Sequence, residues 1–270
     1  MQKLLFIPLL LAVFFSACKQ DSKTADTKEP SLTASPDMLG GYWIAIDFCA
    51  RANQYGSVLQ AVENAYRPYT YALTFNPGMP DSVGCYNGFE TWNVPVKYNA
   101  DTLELVGAIQ GRSVFLIYDS KGNQDMTMFS FIDGNTRLDK FIKSKAGAKD
   151  GAAAFHVALN HNLFSGMFTP LGKGAKTSVQ FTPGGFIQGL KEYDRYEVCA
   201  GGDCFVANDL IDIVTFSKAQ TENSEKILGY RYSAQNDTLT FYDMVNTNPN
   251  EKGAFTAGKV AYQFLRKKAE

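Results

Sequence analysis

Apolar and polar positions alternate with period two along most of the chain. Tyr71, Leu73 and Phe75 alternate with Ala72 and Thr74, and Val260, Tyr262 and Phe264 alternate with Ala261 and Gln263. Alternation of this kind predicts strands with one buried and one solvated face. The runs are broken by NPG after Phe75, SKGNQD after Asp119, TPGG after Phe181 and QND before Thr238. Gly and Asn tolerate positive φ, so these are turns. Two segments lose the alternation and predict helices: 57–66 (SVLQAVENAY), stopped by Arg67-Pro68, and the alanine-rich 148–160. Two strands, 114–118 (VFLIY) and 126–132 (MTMFSFI), are apolar on both faces. Such strands need cover on both sides, from the other half of the chain, a lid or a partner protein.

The pattern occurs twice. LGGYW at 39–43 matches LFSGMF at 163–168, and LTFNPG at 73–78 matches VQFTPG at 179–184. DMTMF at 125–129 matches DTLTF at 237–241, and LDKFIK at 138–143 matches AYQFLRK at 261–267. The order is kept and the spacing varies, as expected for a duplicated module. The reading is an all-β chain with two tandem small antiparallel up-and-down β-barrels and one or two short helices. Its segments are 1–17, 18–37, a first module at 38–144, and a linker helix plus second module at 145–270.

Each half opens on a Gly-x-aromatic (Gly41-Tyr42-Trp43, Gly166-Met167-Phe168) and closes on a strand ending in basic residues (Lys143; Arg266 and Lys267). In this the halves resemble lipocalin-like (calycin) barrels. The resemblance implies that Trp43 packs across a closed barrel end and that the barrels bind a small apolar molecule. It also makes 57–66 comparable to the helical lid of fatty-acid-binding barrels. An eight-stranded barrel is either filled by side chains or holds one small ligand. The interior candidates are Tyr98, Tyr118, Phe129, Tyr230, Tyr232 and Phe241, with core filling as the simpler role.

The first residues place the chain in the cell. Leu4 to Ala17 is apolar, preceded by Lys3. It falls short of the about 20 residues that span a bilayer and has the layout of a signal peptide. Phe15-Ser16-Ala17-Cys18 resembles the lipobox of bacterial lipoproteins, although Phe15 stands where that motif usually has Leu. The resemblance implies cleavage before Cys18 and lipidation of it, so that the membrane is a partner through the N-terminal lipid. Lys19, rather than Asp, implies the outer membrane, with the side left open. The polar stretch 19–37 reads as a flexible tether, a coil of roughly 19 residues with a reach of about 20–25 Å.

Without Cys18 four cysteines remain, an even set suited to an oxidising compartment. C-A-G-G-D-C places Cys199 and Cys204 at the ends of a turn. The expected pairs are Cys49–Cys85 and Cys199–Cys204, with free thiols as the alternative.

No stretch spells out a reaction. A formal net charge of −1 gives no reason to expect a nucleic-acid surface. His156 and His161 are the only histidines, and their five-residue spacing does not suit joint metal ligation. Ser57 and Ser165 are not in Gly-x-Ser-x-Gly, 184–189 (GGFIQG) reads as a strand, and Asp209 and Asp212 face opposite ways on a strand. The expectation is a protein that is not an enzyme and holds no cofactor or metal. It carries a small apolar ligand or, with solid barrels, docks a protein partner as an inhibitor or assembly accessory.

Overall fold

Two eight-stranded antiparallel sheets carry the chain. The structure is a computed structural model that describes residues 34–145, 147–172, 177–205, 211–219, 221, 224–233, 235–248 and 255–267. The expected signal peptide, Cys18, the tether up to residue 33 and Asp209 lie outside the described residues.

The first sheet runs β1 (Gly41–Ala45), β2 (Ala72–Phe75), β3 (Ser82–Tyr86), β4 (Thr91–Asn99), β5 (Thr102–Ile109), β6 (Arg112–Tyr118), β7 (Asp125–Ile132) and β8 (Asn135–Lys143). Each strand pairs with the next, and β8 returns to β1 in the register Trp43↔Lys143 and Ala45↔Phe141, so the barrel is closed. The second contains β9 (Gly166–Pro170), β10 (Val179–Phe181), β11 (Ile187–Gln188), β12 (Arg195–Val198), β13 (Asp212–Ser217), β14 (Lys226–Ser233), β15 (Thr238–Asn246) and β16 (Phe255–Arg266). β16 closes on β9, and the β11–β12 seam is held by a bridge between Phe186 and Arg195. The all-β, two-barrel expectation is met. The four sequence matches between the halves fall on the equivalent strands: β1 and β9, β2 and β10, β7 and β15, β8 and β16.

Among the described residues four short α-helices interrupt the strands, more than the one or two expected, because those at 36–39 and 46–55 lie where the sequence pattern carries no helical signal. α1 (Pro36–Leu39) occupies the end of the expected tether, where the Ser35 hydroxyl accepts from Met38 N–H at 3.3 Å. The expected helix 57–66 is α3 (Val58–Glu63), and a second, α2 (Ile46–Tyr55), precedes it. β1 stops at Ala45 because Phe48, Cys49 and Ala52 then bury one helical face. Gly56, at φ 61°, ends α2, and Ser57 starts α3 by accepting from Gln60 N–H at 3.0 Å. α4 (Gly151–Leu163) begins three residues later than expected, because the Asp150 carboxylate caps Ala153 N–H at 2.7 Å.

α4 joins the two barrels. Its first residue lies on the outer face of β2, where a Cβ on Gly151 would come within 2.6 Å of Thr74 Oγ1. Phe155 stacks on Tyr71 at 4.7 Å, and Tyr71 stacks on Phe48 at 4.4 Å. Just past the other end, Phe164 meets Tyr230 of the second barrel at 4.8 Å. α3 reaches the second barrel as well, since Leu59 N–H donates to Asp212 Oδ1 on β13 at 2.9 Å. The buried apolar side chains therefore form one continuous cluster through both barrels.

Candidate functional site

The interior of each barrel is the first place to look, and side chains occupy it. In the first barrel the register turns Trp43, Leu73, Cys85, Val94, Leu103, Leu116, Met128 and Phe141 inward, and all are buried. Tyr118 lies among them, with its ring edge-on to Trp43 at 5.9 Å. Tyr98 is inward and half-buried. Phe129 is not an interior residue. It falls one position out of phase with inward Met128 and shares the outer face with Phe115 and Leu138. In the second barrel Phe164, Phe168, Phe181, Phe216, Tyr230, Phe241 and Phe264 are buried together. Phe181 lies 5.5 Å from Phe168, 5.8 Å from Phe264 and 6.0 Å from Phe241. Tyr232 is half-buried, with the Arg266 guanidinium over its ring at 5.3 Å. Core filling is the observed role of Tyr118, Tyr230 and Phe241.

A recess of about 460 Å³ indents the second barrel, lined by Pro170, Leu171, Val179, Leu190, Tyr262 and Phe264 among others. A smaller cleft of about 340 Å³ runs between the barrels beside α4. Its walls include Tyr86 of β3, His156 and Asn160 of α4, the Pro183–Gly185 turn, and Glu197 of β12. There the Tyr86 hydroxyl and His156 Nε2 are 2.9 Å apart, and Glu197 Oε1 lies 3.9 Å from the same nitrogen. Burial pushes the His156 pKa down, against the opposing pull of Glu197 and Asp150. Burial also lifts Tyr86 to about 12, so its hydroxyl stays protonated.

The outer face of β6–β8 is the third feature. Phe115, Ile117, Phe131, Leu138 and Ile142 are between 39% and 51% exposed there. Strands 114–118 and 126–132 are thus covered on their inner face only among the described residues. Arg112 stands over the Phe131 ring at 5.7 Å, and Lys140–Asp125 and Arg137–Asp133 pair at 2.6 and 3.4 Å.

The cysteines divide. Cys199 and Cys204 are joined, with Cα atoms 5.7 Å apart across the loop after β12. The Cys49–Cys85 pair is not formed. Cys49 sits on α2 rather than at the end of the opening strand, while Cys85 points into the first barrel between Leu73 and Trp92. Burial pushes both thiols up to about 12.

The remaining sequence candidates have local roles. Ser57 caps α3, Ser165 donates to Asn160 O at 3.1 Å, and Asp212 holds α3. Among the described residues, no helix is long and apolar enough to cross a membrane, and no three His, Cys, Asp or Glu side chains gather as metal ligands. Sequence reading missed the grouping of Tyr86, His156 and Glu197, because the three come from separate elements and no local spacing links them. No protein-family model matches the chain, and neither a curated protein nor a solved structure does.

Proposed function

We propose that this is a lipid-anchored bacterial envelope protein, held in the outer membrane through Cys18, that works as a non-enzymatic interaction module built on two solid lipocalin-like barrels. The reading rests on one observation: large buried side chains occupy the inward positions of both barrels, while large apolar side chains stand exposed on the outer face of β6–β8. A hollow apolar interior suits carriage of a small molecule, whereas a filled barrel with an exposed apolar face suits docking. The partner is a protein with an apolar contact surface, bordered by charges that answer Arg112, Lys140 and Asp133.

Site-specific photo-crosslinking in the native envelope tests this. A crosslinker at Leu138 should give one discrete protein adduct, lost when Phe115→Asp is added, while the same group at exposed Val260 should not. Equal labelling from both positions, or none from Leu138, would sink the docking reading. The anchor is tested separately by metabolic labelling with a clickable fatty acid, which should mark the parent and not Cys18→Ser.

Carriage of a small apolar molecule is the second reading, and the recess beside Tyr262 and Phe264 favours it. Native mass spectrometry of the protein from its own membrane would then find a co-purified small molecule, released by Leu190→Trp, which fills the recess.

A further inference from the structure

We infer that the cleft between the barrels is a binding site for a small ammonium-bearing polyol of the amino-sugar class. Its floor is α4, on which His156 and Asn160 stand four residues apart and so share one face. Asn160 is 97% buried. Its Nδ2 is committed to Pro183 O at 3.1 Å, which leaves Oδ1 as the acceptor, and that atom has no hydrogen-bond partner among the described residues. His156 Nδ1 is in the same condition, although Nε2 is engaged with Tyr86. Two buried polar atoms left unpaired at the base of one cleft are costly, and a bound molecule that supplies partners after a small side-chain rotation relieves that cost.

The charges select the ligand's sign. Among the described lining residues the carboxylates of Asp150 and Glu197 face one ammonium, that of Lys149, and burial of His156 disfavours a charge on its imidazole. The excess of carboxylate favours a cation. The polar atoms select its functional groups: Glu197 is the exposed acceptor at the rim, suited to an ammonium, while Tyr86, His156 and Asn160 suit hydroxyls. The volume is near the lower end of small-molecule sites, about 300–1,000 Å³, which fits a monosaccharide. The site draws walls from both barrels and is separate from the outer face of β6–β8, so it stands or falls independently of the docking reading.

The test uses the full chain in detergent, with glucosamine as probe. The two histidines make imidazole NMR signals assignable. Glucosamine should shift the His156 signals saturably and leave those of His161 in place. N-acetylglucosamine, which lacks the ammonium, should bind at least about tenfold more weakly. Glu197→Gln, at an exposed side chain, should weaken glucosamine by about tenfold while the thermal transition is kept. Absence of a saturable His156 shift would overturn the site. Equal affinity for the two sugars, or an unaffected Glu197→Gln variant, would overturn its assignment to a cation.

Discussion

Lys143 lies over the ring of Trp43, its ammonium 5.9 Å from the ring centroid, where the two residues pair across the β8–β1 ladder. The same ammonium reaches Met38 O in α1 at 3.2 Å, and Trp43 Nε1 donates to Leu39 O at 2.8 Å. The second barrel repeats the arrangement in the same register, with Arg266 paired across the ladder to Phe168. Arg266, on β16, covers the Phe168 ring at 5.2 Å and donates to Leu163 O at the end of α4 at 2.8 Å. In each half a cation from the last strand meets the carbonyl end of the helix before the first strand, where the helix dipole is negative.

The two contacts differ in burial, so their loss should differ in cost. Arg266 is half-buried and Lys143 exposed. Arg266→Met should lower stability by about 1.5–3 kcal/mol, the range for a lost charged hydrogen bond, and Lys143→Met by less than about 1 kcal/mol. Urea titrations of the two variants check the order, and an equal or reversed cost would show that the contacts are only geometrically alike.

Asp139 should give stability a pH dependence. It faces into the first barrel on β8 and is fully buried, with Arg51 Nη2 3.9 Å from Oδ1. Burial lifts its pKa from 3.8 to about 6, and the Arg51 guanidinium offsets only part of this. The native state then holds the proton more tightly than the unfolded chain. The stabilisation is present in full below about pH 4, is lost as pH rises through about 6, and stays absent above it. The loss is on the order of 3 kcal/mol. Asp139→Asn removes this titration, so the stability of the variant relative to the parent should rise between pH 4 and pH 7. A constant difference in Tm over that range would count against the shift.

Asp212 holds the barrels in contact through α3. Asp212→Ala would leave Leu59 N–H buried without an acceptor, at a cost of about 1–3 kcal/mol. Hydrogen exchange at residues 57–63 should speed up in the variant while β5–β7 keep their protection. Uniform acceleration across both barrels would mean that the contact is not local.

Cys49 and Cys85 should be silent to a thiol reagent in the native protein, because both are buried and their thiols are pushed up to about 12. In denaturant without reductant the same two should react, while Cys199 and Cys204 do not. Peptide mapping that finds Cys49 linked to Cys85 would contradict this.

The alternation of residues such as 71–75 and 260–264, the turn chemistry between the strands and the four paired segments of the two halves were enough to read two up-and-down antiparallel barrels. These are local signals: the phase of a strand and the conformation of a turn are set by neighbours in sequence. Phe129 shows where that reading ends. In a strand apolar on both faces the period carries no phase, so the pattern could not say whether Met128 or Phe129 faced inward, and pairing with β6 and β8 decided it. The Cys49–Cys85 expectation failed for a related reason. Ile46 to Tyr55 is short and has no capping side chain at its start, so its helix forms because Phe48, Cys49 and Ala52 find a buried surface supplied by other elements.

The chain's own sequence determined the up-and-down run of strands, the Gly-x-aromatic that opens each barrel at Gly41 and Gly166, and the basic residue that ends each closing strand, because each is encoded within a few neighbouring positions. Tertiary structure alone decided how the halves meet. Phe155 stacks on Tyr71, Leu59 finds Asp212, and Tyr86 and His156 come within 2.9 Å across a gap of 70 residues. Those contacts exist because α4 must bury one side on the first barrel while the residue after it, Phe164, enters the second. Packing of that kind depends on the shapes of two finished barrels, which no window of sequence contains.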